Sequence, residues 1–590
     1  MRQRVDSCLL FLRLYGALAG ILFCHSKSEI RAAEPAVEKA PYNVHDFGAK
    51  GDGEADDGPA INHAIAVAIN AGPGTTVLIP AGRYRLEAPN GYGEHLSIHR
   101  AQGLTIRGEP GTVLLANDPE ASIIAIQGSK NVKLSTLTLE QAKCYFSQGV
   151  VVAVDPKAIG CDVTIDPRYD EPDAMTLMGC KSFRPFIYAD TSAYESSRHF
   201  RQIKSQQRTS DRKWHLTFDG GPLDPELTGK KFIIWDDRHR SHAIAGGNDE
   251  DCQFEDVTYY GKGAGAMFFI SAARGTMIFR RCIATVPPDS EGLLSCSGGG
   301  LFPNNRGSLI FDSCVFEKID DNAADIMTSY VRVLAQTDAR TLQLQSNPGF
   351  EPGDILAIMD WSRKSERSVA KIVAVVNKPD RTCIATLDRD VEIRRSGAGN
   401  SKAGGDARGD GIDRVVDYNL ACQSAIFRNC RMQSLRSRAL NIKAQNCMIE
   451  GCTFFDCEMP AIAAGPELSW SEGPAVRNLT IRNNHFKHCN VNNIDIDCFD
   501  ADKDCPALDN RNILIEGNHF EDYGEHATLH QTPGCAIHIK NADGVIIRNN
   551  IFAAQGAGAA KDAGKLIIER SKNVSVGKNE GLLEGAIQRK

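Results

Sequence analysis

Along the second half of the chain one short phrase recurs: an apolar residue, two spacers, Cys or Asn, one spacer, and a second apolar residue. It reads Phe279, Cys282, Ala284, then Phe311, Cys314, Phe316, then Phe427, Cys430, Met432. It continues with Ile449, Cys452, Phe454, then Ile481, Asn484, Phe486, then Ile515, Asn518, Phe520, then Ile547, Asn550, Phe552. Weaker copies stand at Leu134 to Leu139 and Phe254 to Tyr259. The Cys or Asn positions fall 32, 22, 32, 34 and 32 residues apart, with one large gap after Cys314. Units that alternate with a period of two and end in turn residues are strands, and repetition at this spacing is the mark of a stacked array. The pattern predicts a parallel β-solenoid. Equivalent side chains lie above one another, Asn forms a hydrogen-bonded ladder at a bend, and Cys, Ile and Phe fill a narrow interior.

A single coil cannot hide its own apolar face, so the ends need caps. Residues 56–72, from Asp56-Asp57-Gly58-Pro59 to Gly72, predict an amphipathic helix with an acidic N-cap and a glycine stop. Two stretches break the repeat. Residues 145–245 and 328–418 carry short alternating strands and predict β-barrel-like inserts. Residues 395–412 are Gly-rich with mixed charges and read as a mobile loop over a site. The expected organisation is a leader (1–33), a cap with first coils (34–144), an insert (145–245), coils (246–327), a second insert (328–418) and C-terminal coils (419–590).

Composition adds limits. The 590 residues are 42% hydrophobic and 24% charged, and 67 Lys+Arg against 74 Asp+Glu leave a net charge of −7. This excludes a disordered chain and lacks the basic footprint of a nucleic-acid binder. Arg2 and Arg4 precede a mostly apolar stretch from Cys8 to Cys24, which reads as an export signal and predicts a secreted or periplasmic protein. No membrane span is expected in the mature chain. The 19 cysteines include no CxxC pair, which excludes zinc-ribbon and thioredoxin readings, and the repeat accounts for many of them as small apolar residues of the solenoid core.

The segment Phe47-Gly48-Ala49-Lys50-Gly51-Asp52-Gly53, the Asp56-Asp57 cap and Pro80-Ala81-Gly82-Arg83-Tyr84 resemble the opening of the right-handed parallel β-helix superfamily that includes pectate lyase-like proteins, rhamnogalacturonases and polygalacturonases. The resemblance implies an all-β, right-handed solenoid. It concerns architecture, and Asp56 and Asp57 are read as caps.

Candidate chemistry centres on Glu317-Lys318-Ile319-Asp320-Asp321-Asn322-Ala323-Ala324-Asp325. Adjacent carboxylates at a strand end repel, which favours a proton on one of them. A glycosidase needs one protonated and one ionised carboxyl. A local turn in which Asp320 and Asp321 bond to backbone amides explains the same residues.

Gly263-Ala264-Gly265, Leu293-Leu294-Ser295, Arg306-Gly307, the Asp320-Asp321 pair, Arg436-Ser437-Arg438-Ala439 and Trp470-Ser471-Glu472-Gly473 follow one another in an order similar to glycoside hydrolase family 110. These are β-helical exo-α-1,3-galactosidases, and the resemblance covers residues 130–490. It implies an inverting hydrolysis with Asp320 and Asp321 as catalytic residues, and Arg438, Trp470 and Glu472 binding substrate. The chain departs from that family at Ser297-Gly298-Gly299, where an Asp-Gly is expected. A carboxylate is missing there unless Asp325 substitutes.

The implied partner is a polysaccharide or oligosaccharide. No cofactor is expected, although Asp495, Asp497, Asp500, Asp502 and Asp504 form an acidic run to be weighed as a Ca²⁺ site. His485 and His519 occupy equivalent repeat positions and are expected to stack. Three readings stand: a glycoside hydrolase, a pectate lyase-like polysaccharide lyase, or a glycan-binding protein whose site has decayed.

Overall fold

In the computed structural model the repeated Cys or Asn sits at the corner between two strands of each coil. The residue just before it adopts a left-handed backbone in coil after coil, as in Ser313, Asn429, Gly451, Asn483, Gly517 and Asn549 (φ 53–67°). Asn and Gly tolerate that conformation best, which explains their recurrence at the bend. The structure describes residues 40–590 except 88, 90–92, 156–158, 178–181, 187–200, 221–222, 224, 236–240, 398–410, 490, 500–509, 525–533, 554–565, 583 and 590. The leader, most of the Gly-rich loop, Asp500, Asp502 and Asp504 lie outside the described residues.

Each complete coil contributes one strand to each of three parallel stacks. The first stack includes Ser308–Asp312, Ser424–Arg428, Gln445–Glu450, Arg477–Arg482 and Asn510–Glu516. The second, across the corner, includes Val315–Ile319, Arg431–Leu435, Thr453–Cys457, His485–Cys489 and His519–Tyr523. The third includes Gly300–Pro303, Ala324–Ser329, Leu440–Ile442, Ile462–Ala464, Ile494–Ile496, Ile537–Lys540 and Leu566–Glu569.

In-register stacking places like on like inside. Phe279, Phe311 and Phe427 stack at 4.5 Å between successive rings, and Phe454, Phe486, Phe520 and Phe552 do so at 4.8–5.1 Å. At the corner, Asn484 Nδ2 donates to Asn518 Oδ1 (2.9 Å), Asn518 Nδ2 to Asn550 Oδ1 (3.0 Å), and Asn550 Nδ2 to Asn579 Oδ1 (2.9 Å). Cys282, Cys314, Cys430 and Cys452 occupy the equivalent corner in earlier coils, buried as free thiols. The described cysteines form no disulfide, and all but Cys144 are buried.

The cap helix spans Gly58–Asn70, shorter than the sequence reading. Asp57 holds the N-cap position, but its carboxylate accepts instead from the backbone N–H groups of Lys50 (2.7 Å) and Gly51 (3.1 Å), tying the preceding loop to the helix. The strands between Phe146–Asp155 and Lys231–Trp235 close into one antiparallel barrel, and those between Val331–Asp338 and Arg414–Asp417 into another. Arg306 anchors the second barrel to the coils through both carboxylate oxygens of Asp354 (2.7 and 2.6 Å). No described helix is long and apolar enough to cross a membrane.

Candidate functional site

The third stack carries the chemistry. Its inward residues Ala324, Leu440, Ile462, Ile494 and Ile537 belong to the core. The next residue along each strand therefore points outward. Those residues form a row in register: Asp325, Asn441, Ala463, Asp495 and His538. Two positions further on, just beyond or at the strand ends, stand Lys443, Gly465, Asp497 and Lys540. Gly465 has φ 125°, and a Cβ there would lie 1.9 Å from the Asp497 carbonyl oxygen, so only glycine fits.

A hairpin folds back beside this face. Glu467 N–H donates to the Glu472 carbonyl (2.9 Å) and Glu472 N–H returns the bond to Glu467 (3.0 Å), with Trp470 at the tip. The Glu472–Gly473 strand also pairs antiparallel with Thr328 and Ser329, at the end of the strand that bears Asp325. The hairpin thus carries its two glutamates onto the row.

Lys443 joins the carboxylates. Its side chain is fully buried, and its Nζ lies 2.6 Å from Glu472 Oε2 and 3.4 Å from both Asp325 Oδ1 and Glu467 Oε2. Asp325 and Glu472 are therefore within two polar contacts of one another. Burial favours the neutral amine, but Asp325, Glu472 and Glu467 outweigh it and hold Lys443 protonated, above its ordinary range. Arg438 donates to Glu467 Oε1 (2.8 Å), and Asn441 Nδ2 to Glu467 Oε2 (3.2 Å). Burial works against ionising Glu467, yet Arg438 and Lys443 bring its carboxyl below the usual value. Glu472 goes the other way. Burial pushes it up to about 7, with Asp325 and Glu467 adding to the effect and Lys443 opposing it. The site thus holds one carboxyl poised to carry a proton near neutrality beside another, Glu467, that is favoured as the anion. Asn441 Oδ1 is buried without a hydrogen-bond partner.

The sequence-predicted residues divide. Asp325, Arg438 and Glu472 converge on this cluster, each with a side chain 13–16% exposed. Trp470 stands 64% exposed at the hairpin tip beside them. Asp321 occupies the turn before the Asp325 strand, its Oδ1 accepting from Asn322 N–H (2.9 Å), and its charge is felt by Arg438. Asp320 is committed elsewhere. It is buried, and both its oxygens accept from Arg436 (2.8 and 2.9 Å) in a bidentate ion pair that stacks one coil on the next. That geometry commits both oxygens of Asp320 to the Arg436 guanidinium.

Two coils beyond Asn441, Asp495 Oδ1 pairs with His538 Nδ1 (2.9 Å), and Asp497 accepts from Lys540 Nζ (2.6 Å) and Asn541 Nδ2 (2.7 Å). Both carboxylates already have cationic partners, so this described part of the acidic run does not fit a Ca²⁺ site, which needs free oxygens. A concavity of about 670 Å³ lies at the N-terminal cap, lined by Asp56, Asn62, His95 and His99 among others. Asp56 is the one carboxylate in its described lining. Sequence reading missed Lys443, Glu467 and Asn441.

Comparison with known proteins agrees with this architecture. Residues 42–146 match the family described as rhamnogalacturonase A/epimerase, pectate lyase-like, and residues 406–580 match the right-handed β-helix region. α-1,3-Galactosidase A of Bacteroides fragilis is 24% identical over 280 residues, which is 45% of this chain and 42% of that protein. α-1,3-Galactosidase A of Bacteroides thetaiotaomicron is 31% identical over 133 residues, 22% of each. The chain thus spans less than half the length of these relatives. Among solved structures, the A-module of the Azotobacter vinelandii mannuronan C-5 epimerase AlgE4 aligns over 93% of this chain and 97% of its own, with 12% identity and a TM-score of 0.41. The chain has the pectate lyase-like, right-handed parallel β-helix fold and is related, at low identity, to the α-1,3-galactosidases.

Proposed function

We propose that the protein is a glycoside hydrolase whose active site is the outward row of the third stack, entered at Asp325, Glu472 and Arg438. The observation that carries this reading is the pair Asp325 and Glu472 on one buried ammonium, with the Glu472 carboxyl raised to about 7. Glu472 donates its proton to the leaving glycosidic oxygen. Asp325 supplies the second carboxyl group, which activates water or attacks the anomeric carbon. Arg438, its side chain 16% exposed, meets sugar hydroxyls, and Trp470 offers an aromatic face to a ring. The relation to α-1,3-galactosidases makes a terminal α-galactoside the first substrate to try.

Elimination is the competing chemistry, and it needs an unprotonated base to take a proton α to a carboxylate. Lys443 is held protonated and so is unsuited to that task. A panel of glycans assayed both for released reducing sugar and for unsaturated-product absorbance tests the choice. Reducing sugar alone, lost in Glu472→Gln and Asp325→Asn, supports hydrolysis. Ultraviolet-absorbing products, or turnover unchanged in both variants, contradict it.

A further inference from the structure

We propose that His485, His519 and Glu521 form a binding site for a divalent transition-metal ion of the zinc type, on the second stack and separate from the carboxylate row. His485 and His519 are direct register partners on neighbouring parallel strands, and Lys487 and Glu521 are partners two positions on. All four side chains therefore stand on one outward surface. The imidazole rings stack face to face, 5.1 Å between centroids and 13° from parallel. Both meet one oxygen: Glu521 Oε1 is 3.1 Å from His485 Nε2 and 3.5 Å from His519 Nε2.

That triangle matches a coordination polyhedron. Zinc bonds to imidazole nitrogen and carboxylate oxygen are about 2.0–2.1 Å, which sets ligand-to-ligand edges of about 3.3 Å in a tetrahedron. The 3.1 and 3.5 Å edges bracket that value, and the three donor atoms all lie within 4.8 Å of one another. Two imidazoles with one carboxylate suit Zn²⁺, Cu²⁺ or Ni²⁺ better than Ca²⁺ or Mg²⁺. The side chains are 42%, 39% and 23% exposed, which leaves the fourth position open to water or an incoming ligand. Strand register holds the rings in place, so binding needs little rearrangement. Lys487 Nζ, 3.3 Å from Glu521 Oε2, occupies the second carboxylate oxygen and leaves Oε1 for the ion, although its charge opposes the cation.

The test is calorimetric titration of the full-length protein with ZnCl₂, with Co²⁺ absorption as a second readout of coordination. One equivalent is expected. His485→Gln and His519→Gln should each weaken binding by more than about tenfold, at least the order a supporting residue commands at a metal site. The double variant should take up none. Lys487→Ala keeps all three ligands and should retain the equivalent with equal or tighter affinity. No uptake by the wild type at roughly millimolar zinc, unchanged uptake in the double variant, or loss of uptake in Lys487→Ala would each overturn the proposal.

Discussion

Glu467 and Glu472 exchange backbone hydrogen bonds across one tight hairpin and both reach the ammonium of Lys443, yet their carboxyls are driven in opposite directions. Glu467 has Arg438 and Asn441 as additional partners and is favoured as the anion. Glu472 has Lys443 alone against burial and the charges of Asp325 and Glu467, and its proton is retained to about pH 7. Five residues apart in sequence, the two divide acid from anion by their neighbours.

The pH dependence follows from Glu472. As the proton donor it must be protonated, so kcat/KM should fall above about pH 7, tenfold per unit. The same group has a stability signature. Its folded pKa lies above the ordinary 4.5, so the folded state binds more protons than the unfolded state between 4.5 and about 7. Stability should therefore decrease as pH rises through that window. Thermal melts of wild type and Glu472→Gln across this range check it, and the variant should lose that component of the slope.

Lys443→Met should be strongly destabilising. It removes the only cation shared by Asp325, Glu467 and Glu472 among the described residues, and only Glu467 keeps another ion-pair partner, Arg438. A loss of about 3–5 kcal/mol is the expected order for breaking a buried ion pair. Denaturant titration measures it, and a melting temperature equal to the wild type would contradict the assignment.

Trp470→Ala separates binding from folding. An indole 64% exposed contributes little to the core, so stability should move by no more than about 0.5 kcal/mol. KM for a glycan should rise while kcat stays nearly constant. An unchanged KM would remove Trp470 from the sugar-binding surface.

Asn518→Ala tests the ladder that holds the coils in register. Its Oδ1 accepts from the backbone N–H and side chain of Asn484, and its Nδ2 donates to the Ile481 carbonyl (2.9 Å) and Asn550. Truncation leaves buried donors and acceptors unpaired, at about 1–3 kcal/mol for each group. A drop in melting temperature with wild-type catalytic constants is the expected outcome.

Much of the fold is legible in the repeat, because an in-register solenoid writes each stacked contact as a period in the sequence. The Phe stacks and the Asn ladder could be read from Phe279 to Phe552. The outward row was legible by the same counting. Eleven residues after Cys314, Cys430, Cys452 and Asn484 stand Asp325, Asn441, Ala463 and Asp495, and thirteen after Cys430 stands Lys443. The adjacent Asp320-Asp321 pair drew the reading instead. Adjacency says nothing of partners, and Asp320 faces Arg436, one coil away and 116 residues on in sequence. Glu467 escaped notice because a hairpin, not the repeat, delivers it to the row.

The most direct test of the central claim is the leaving-group dependence of Glu472→Gln. If Glu472 is the proton donor, the variant should lose about 10²–10⁴-fold in kcat on an unactivated glycan. On the matching aryl glycoside, whose leaving group needs no protonation, it should keep most of the wild-type rate. Equal losses on both substrates, or no loss on either, would contradict the account.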